Sequence, residues 1–423
     1  MARGAGGRHF LMHPTRNDVS PSPAELAAIW RERSGFVWLD SSSENSGLSL
    51  LASEPDLILE GCSGEWHQLE EELDRRKRPS PDLGTPDGAA IGYFRFDGSF
   101  RFGFYDQPLL HATEGWLGDP PAWPAPGKEV SGDASDRMGT VPDFLPEMER
   151  GDYLRMARRA QEYVAAGDIY QVCLAHRFSA PFGGDPWPLY LALREASPAP
   201  HSAFLQLGDE TVLSSSPECF LKMSGRRIST RPIKGTRPRK RDPEEDEREA
   251  FELKTSPKEI AELVMITDLE RNDLGSICEY GSVSATQLLH LERYAQVFHL
   301  VSTVEGELRQ DISQVGAMAA CFPGGSISGA PKKRALEIIR ELEPVPRGLF
   351  TGAIGYFGYN GESQFNIAIR TVMIRDGEAS FHVGAGITAD SDPDKEWEET
   401  LHKAAGILQA AKNRGSCMLN AGV

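Results

Sequence analysis

The sequence has no CxxC pair, no apolar run of about 18 residues and no excess of positive charge, and each absence removes a class of function. The six cysteines, at 62, 173, 219, 278, 321 and 417, are scattered through 423 residues. They read as reduced cytosolic thiols, not as a disulfide framework or a zinc site. Without a long apolar run there is no candidate membrane span. The opening stretch MARGAGGRHFLMHPTRND is basic but has no apolar centre, so a secretory leader is not expected and the expected compartment is the cytoplasm. Lys and Arg number 45 against 62 Asp and Glu, a formal charge of −17. Nucleic acid is therefore excluded as a partner, because phosphate binding needs a basic field. An acidic protein can still take an acidic substrate if it builds a local positive pocket or recruits a cation.

What is present is ordinary globular composition, 40% hydrophobic and 25% charged. Length alone suggests two or three domains, or one large one. The stretch 119–142, DPPAWPAPGKEVSGDASDRMGTVP, is rich in Pro, Gly, Ser and Asp and is read as a linker or long surface loop. It divides an N-terminal region, 1–142, from a second region, 143–423. AAIGYFRF runs into Asp97-Gly98, a hairpin signal. A helix is expected over 149–166, followed by the strand DIYQVCLAHRFSA. Further on, Asn360-Gly361 and Asp376-Gly377 separate TGAIGYFGY, SQFNIAIRTVMI and ASFHVGAGI, a meander. Residues 353–361 echo residues 90–98, either by chance or because two similar sheets face each other. Strands and helices come in runs, which points to an α+β fold.

Several segments could carry chemistry. In SPKEIAELVMITDLERNDLG (256–275), Ser256 and Glu259 form a capping box and Pro257 opens a helix. Ile260, Leu263, Val264 and Met265 are expected on its buried side, with Glu259 and Glu262 sharing another face. A second helix, DPDKEWEETLHKAAGIL, carries Trp397, Leu401, Ala404 and Leu408 on its apolar stripe and Glu396 and Glu399 elsewhere. Each pair alone reads as a solvated acidic face. Two helices with such pairs could hold one hard divalent cation, if they face each other. PGGSISGAPKKR (323–334) is a Gly-rich turn entering a helix whose first residue is expected to be Pro331, a generic anion site. Gly384 and Gly386 in GAG let a ligand approach the backbone, or mark a bulge. Arg370, read as lying inside the strand FNIAIRTVMI, calls for a carboxylate partner, either a ligand or internal. Lys234, between ISTRPI and Gly235-Thr236, could act as nucleophile or base. The sign-changing run RPRKRDPEEDERE after it reads as a solvated segment or a lid.

In this order, the blocks GDIYQVCLA, SSSPE, RPIKGTRPR, KEIAELVMITDLERNDLG, FHLVSTVEG, CFPGGSISGAPKKRA, GAIGYFGY, NIAIRT and GAGITADSDPDKEWEET resemble the chorismate-utilising enzymes. The resemblance covers about 145–412 and is strongest to the aminodeoxychorismate synthase component I group, relatives of anthranilate synthase component I. It implies two antiparallel-rich sheets in a sandwich ringed by helices, with the N-terminal region folded into the whole. LLASEPD at 50–56 resembles the lining of a tryptophan pocket. The resemblance further implies Mg²⁺ held mainly by Glu262 and Glu399, with Glu259 and Glu396 beside them. It implies Glu218 as the general acid that helps expel the C4 hydroxyl, and His299 near the ring. Ser326, Arg370, Gly384 and Gly386 match substrate contacts.

The choice within the family rests on few residues. Lys234 in PIKGT resembles the aminodeoxychorismate synthase nucleophile for ring C2, where anthranilate synthases carry Ala. Gln171 stands where isochorismate and salicylate synthases carry a lysine that activates water, and Gln cannot abstract a proton. Phe350 and Cys173 depart from the Tyr and Asn of some relatives. No GxCxGxQ glutaminase motif occurs, so ammonia is expected either free or from a separate glutamine amidotransferase subunit. The expected reaction is chorismate and ammonia to 4-amino-4-deoxychorismate, for p-aminobenzoate and folate. The alternatives are an anthranilate synthase component I and a non-catalytic chorismate- or tryptophan-binding subunit.

Overall fold

A computed structural model describes residues 20–42, 47–79, 84–118 and 142–413. The proposed linker, 119–142, lies outside them except for its last residue, as does Cys417. The helices among the described residues are α1 (Pro23–Trp30), α2 (Trp66–Arg75), α3 (Arg150–Ala165), α4 (Trp187–Ala196), α5 (Pro243–Thr255), α6 (Pro257–Gly275), α7 (Gln314–Cys321), α8 (Lys332–Leu342) and α9 (Pro393–Asn413). The strands form two antiparallel sheets, one of 11 strands and one of 10, as expected of the α+β sandwich.

An apolar layer between the sheets draws Val37, Leu50, Leu205 and Val212 from the larger sheet and Ile91, Tyr93, Ile354 and Tyr356 from the smaller. Both sheets are also covered outside. Trp66, Phe94, Phe102, Phe357 and Phe365 make an aromatic cluster under α2 and α7. Trp38, Trp187, Tyr190 and Phe204 do the same under α1, α4 and α9. Strands covered on both faces read as continuous apolar runs, and all six residues of Ala89–Phe94 and of Ala353–Gly358 are buried.

Residues of the N-terminal region enter both sheets. Val37–Asp40 pairs with His201–Leu207, and Ala89–Phe94 pairs with Ala353–Gly358. The second pairing corrects the reading of the repeated AIGYF motif. The two copies do not sit in facing sheets. They lie side by side, antiparallel, with Gly92 opposite Gly355. A Cβ on either glycine would collide with a carbonyl of the neighbouring hairpin strand, so glycine is required twice, at symmetric positions.

The expected hairpins at Asp97-Gly98, Asn360-Gly361 and Asp376-Gly377 are present. The middle strand of the meander is not one strand. Glu362–Ile367 belongs to the smaller sheet and Thr371–Arg375 to the larger. Between them Arg370 adopts φ 50°, so it marks a crossing between sheets and not the interior of a strand. Apolar side chains on both flanks gave no warning, because each half is buried in its own sheet.

Candidate active site

The crossing opens a cavity of about 890 Å³, walled by the sheet ends, α6 and α9. Eleven of the twelve site residues expected from sequence line it: Glu218, Lys234, Glu259, Glu262, His299, Ser326, Arg370, Gly384, Gly386, Glu396 and Glu399. Gln171 does not. Its side chain sits beneath Gly386, where a Cβ would strike its amide, and its Oε1 is buried without a hydrogen-bond partner. The residue was expected at the site because it stands where isochorismate and salicylate synthases carry a lysine; its strand, Gln171–Pro181, does pair with Glu378–Ile387 at the wall. Of that strand, Cys173 is what reaches the cavity.

The helix start at 331 is also displaced from expectation. Pro331 is the N-cap of α8, with extended ψ 138°, and Lys332 begins the helix. Neither lines the cavity, so the helix terminus is not its anion site. Lys332 is already held by Asp273 at 2.5 Å and the Cys321 carbonyl at 2.7 Å. The part of this segment that lines the wall is Ser326 and Ile327, from the short turn Gly325–Ile327.

The positive side of the cavity is made by Arg370 and Lys234. Arg370 lies deep in the fold yet opens onto the cavity, and burial pulls its guanidinium below the ordinary value. Its Nη1 reaches Ser197 Oγ at 3.4 Å, and among the described residues no ion pair with a carboxylate forms at it. A desolvated guanidinium with its fork unfilled is a receptor for a carboxylate. Lys234 lies in the strand Ile233–Pro238, opposite Leu300, where Gly235 (φ 75°) shifts the register. Its charge favours ionisation of Glu218, Glu262 and Glu399. His299, on the neighbouring strand, shares a hydrogen bond with Thr236 Oγ1 at 3.0 Å. Burial, then the charge of Arg370, pushes its pKa down to about 4, so it is a neutral ring at physiological pH.

The acid side begins with Glu218, buried just beyond the strand Glu210–Ser216. Burial raises its pKa, opposed by Ser326 and then Lys234. Ser326 Oγ is itself buried and lacks a hydrogen bond of good geometry. Below these residues α6 and α9 face each other, which spacing alone left open. Lys258 links them, 3.9 Å from Glu262 and 3.6 Å from Glu396, and Lys403 binds Glu399 at 2.7 Å. Burial raises Glu262 and Glu396, and in both the neighbouring carboxylates add to the rise. Burial also lifts Glu399, but Lys403, Lys258 and Lys234 together outweigh it and the net shift is downward. No three His, Cys, Asp or Glu side chains among the described residues converge tightly enough to hold a metal. Glu259 leans the other way, 3.6 Å from Arg237. The donor chemistry still fits a hard cation: partly buried carboxylates that repel one another, with a flexible ammonium between two of them.

The helix faces differ from the expected stripes. Val264 is exposed, and the buried line on α6 is Leu263, Ile266, Thr267, Glu270 and Leu274. Glu396 is on the buried side of α9 with Trp397 and accepts from Ser391 Oγ at 2.9 Å. Lys258 and Lys403 were missed, although each lies four residues from a carboxylate, the spacing of a helical ion pair. His382 was also missed. It lines the cavity and stacks on Phe350, with centroids 5.5 Å apart.

The family described as "chorismate binding enzyme" matches residues 38–409. The chain is 46% identical over 283 residues to anthranilate synthase component 1 of Thermus thermophilus, covering 67% of this chain and 61% of that protein. It is 41% identical over 305 residues to aminodeoxychorismate synthase component 1 of Bacillus subtilis, covering 72% and 63% respectively. The chain thus spans less than two thirds of the length of these curated relatives. The structure of anthranilate synthase component I from Streptococcus pneumoniae superposes with a TM-score of 0.73 at 27% identity, covering 94% of this chain and 99% of that one.

Proposed function

The chain belongs to the chorismate-binding enzyme family, and we propose that it converts chorismate and ammonia to 4-amino-4-deoxychorismate and water. The observation that carries this reading is Lys234, a cavity-lining amine in the same cavity as the buried acid Glu218 and as Arg370, which pairs with no carboxylate among the described residues. In the proposed sequence the Lys234 amine adds to ring C2 as the C4 hydroxyl leaves. Glu218 supplies the proton that makes the hydroxyl depart as water. Ammonia then bonds to C4, the C2–N bond to Lys234 breaks, and the amine returns. Arg370 and the open backbone of Gly384 and Gly386 orient the substrate carboxylates. Neutral His299 and the Ser326 hydroxyl contact the ring and its substituents. Gln171, recessed under Gly386, offers no base for water addition.

Glu262 and Glu399, assisted by Glu396 and Glu259, would hold Mg²⁺, displacing Lys258 and Lys403. When bound, the ion supplies charge that neutralises a substrate carboxylate. The ammonia would come from a separate glutamine amidotransferase subunit, and the product would serve p-aminobenzoate and folate. A second reading, anthranilate synthase component I, is favoured by the name carried by the 46% identical Thermus relative. Incubation of the purified chain with chorismate, Mg²⁺ and ammonium at alkaline pH separates the two. Aminodeoxychorismate, converted to p-aminobenzoate by added lyase, supports the proposal; fluorescent anthranilate with pyruvate refutes it. No turnover with a competent glutaminase would favour a non-catalytic binding subunit.

A further inference from the structure

Just behind the cavity wall lies a guanidinium to which the proposed reaction gives no part. Arg347 follows the end of α8, is 3% exposed and does not line the cavity. A guanidinium has five N–H donors in one plane, and here the acceptors match them in number. Nε and Nη2 donate to the two carboxylate oxygens of Glu343 at 2.8 and 2.7 Å. Nη2 also donates to the Cys173 carbonyl at 2.7 Å. Nη1 donates to the Ile327 carbonyl and to Thr351 Oγ1, both at 3.1 Å. Glu343 in turn accepts from the Ala175 amide at 2.9 Å, so the pair is pinned twice to the strand Gln171–Pro181.

The acceptors other than Glu343 belong to three separate segments, and Cys173, Ile327 and Thr351 all line the cavity. Each leads to a group given a substrate role above. Cys173 stands opposite Gly386 in the ladder. Ile327 follows Ser326 in the turn beside Glu218. Thr351 (φ 61°) donates its amide to the Ala368 carbonyl at 2.8 Å, two residues before Arg370. We propose, resting on the substrate roles given above to Arg370, Ser326 and Gly386, that Arg347 is a positioning residue: it fixes the crossing that carries Arg370 against the wall that carries Glu218, so that a substrate held by its carboxylate presents the C4 hydroxyl to the acid. An ion pair that served only the fold would be complete with Glu343, whereas three of these five bonds reach the wall. Lysine cannot replace this fork. Its ammonium has three donors and no plane, so it can pair with Glu343 but leaves acceptors in the wall unmet.

Arg347→Lys and Thr351→Val, each in the full chain, test this. Turnover is followed as loss of chorismate, so that either product counts, and urea melts give the folded fraction of each variant. Misplacement by about 1 Å costs on the order of 10²-fold in rate. Arg347→Lys should therefore lower kcat per folded chain by about 100-fold and leave KM for chorismate nearly unchanged, because Arg370 is still there to receive the carboxylate. Thr351→Val keeps the shape and removes one neutral hydrogen bond of the brace, so it should lower kcat by about 2- to 12-fold. Combined, the two changes should lower kcat no further than Arg347→Lys alone, since both break one link. Wild-type kcat per folded chain in Arg347→Lys, whatever its loss of stability, or two effects that multiply, overturns the proposal. If Arg347→Lys does not fold, Thr351→Val decides, and an unchanged kcat there overturns it. If the losses appear as stated but the wild type makes anthranilate, the brace stands and the product assignment falls. A wild type that binds chorismate without consuming it overturns both.

Discussion

Replacing Arg370 by Met should separate its service to a ligand from its service to the fold. The guanidinium is desolvated, has one long hydrogen bond to Ser197 at 3.4 Å, and has no salt bridge among the described residues. Truncating one partner of a buried charge pair costs about 2–5 kcal/mol of binding. Because this group opens onto a wet cavity, the lower part of that range applies, about 2–3 kcal/mol. At about 1.4 kcal/mol per decade that is a loss of about 30- to 150-fold in chorismate affinity. Stability should move the other way. An unpaired desolvated charge is unfavourable to the folded state, so its removal from the ligand-free protein should be neutral or stabilising by about 1 kcal/mol. The backbone adds no penalty, since Met meets the same φ of 50° that Arg already adopts. Urea melts without ligand and kcat/KM for chorismate would be measured side by side. A variant that loses more than about 1 kcal/mol of stability while kcat/KM holds would show that Arg370 is a structural residue.

Other expectations are as direct. Lys234→Ala should lower amination by on the order of 10⁴-fold and abolish covalent capture of substrate; a trapped mass shift that persists in the variant would refute the nucleophile. Glu399→Gln should raise the Mg²⁺ needed for half-maximal activity by at least about 10-fold, and an unchanged Mg²⁺ titration would contradict the ligand assignment. Burial lowers His176, His201 and His299 to about 4 and His382 to about 3, from 6.5. Each is depressed in the folded state, so its stability is fully present above pH 6.5 and is lost as pH falls toward 4 and below. Urea midpoints should therefore decline over that window, and a flat profile would argue against buried neutral rings. Glu270 acts with the opposite sign. Its raised pKa contributes stability below the ordinary value of 4.5 that is lost as pH rises through about 8, and Glu270→Gln should flatten that alkaline decline.

The parts of this molecule legible in the sequence were those set by local chemistry. Xaa-Gly pairs placed three hairpins, because only a few residues accept the positive φ that such turns need. Pro257 after Ser256 placed the start of α6, and Ser256 Oγ does accept from the Glu259 amide. What local chemistry could not show was which side of a helix the rest of the fold would cover. Val264 is apolar and exposed, while Glu270 and Glu396 are acidic residues that are buried, where Thr230 and Ser391 donate to them. The 3,4 spacing of Leu263, Ile266, Glu270 and Leu274 carried the signal for Glu270, but a carboxylate on an apolar stripe is easily taken for an exception. Gln171 was misplaced for another reason. Gln171 and Cys173 share one face of their strand, and spacing does not show how far along that face the cavity extends: Cys173 reaches it, while Gln171 is tucked beneath Gly386.

The net charge of −17 and the proposed acidic ligand are reconciled by where the chain changes sheets. Thr351 (φ 61°) and Arg370 (φ 50°) both adopt the left-handed region at this crossing, and the Thr351 amide donates to the Ala368 carbonyl. These two strained residues let the paired strands Ala353–Gly358 and Glu362–Ile367 leave their sheet beside the cavity. A continuous ladder here would have filled the space with side chains and turned Arg370 toward a fixed partner. The broken ladder instead leaves a guanidinium facing a cavity whose opposite wall is carboxylate. Negative charge on α6 and α9 then does not repel an anionic ligand outright, because Lys258 and Lys403 already screen it and a divalent cation could replace them. The acidic total describes the surface and the helices; the cavity's own polarity is set by the few residues at the crossing. Arg370 is thus the position at which fold and cavity are most tightly joined, since the backbone turn that ends one sheet brings to the cavity one of the two guanidiniums, with that of Arg237, that line it among the described residues.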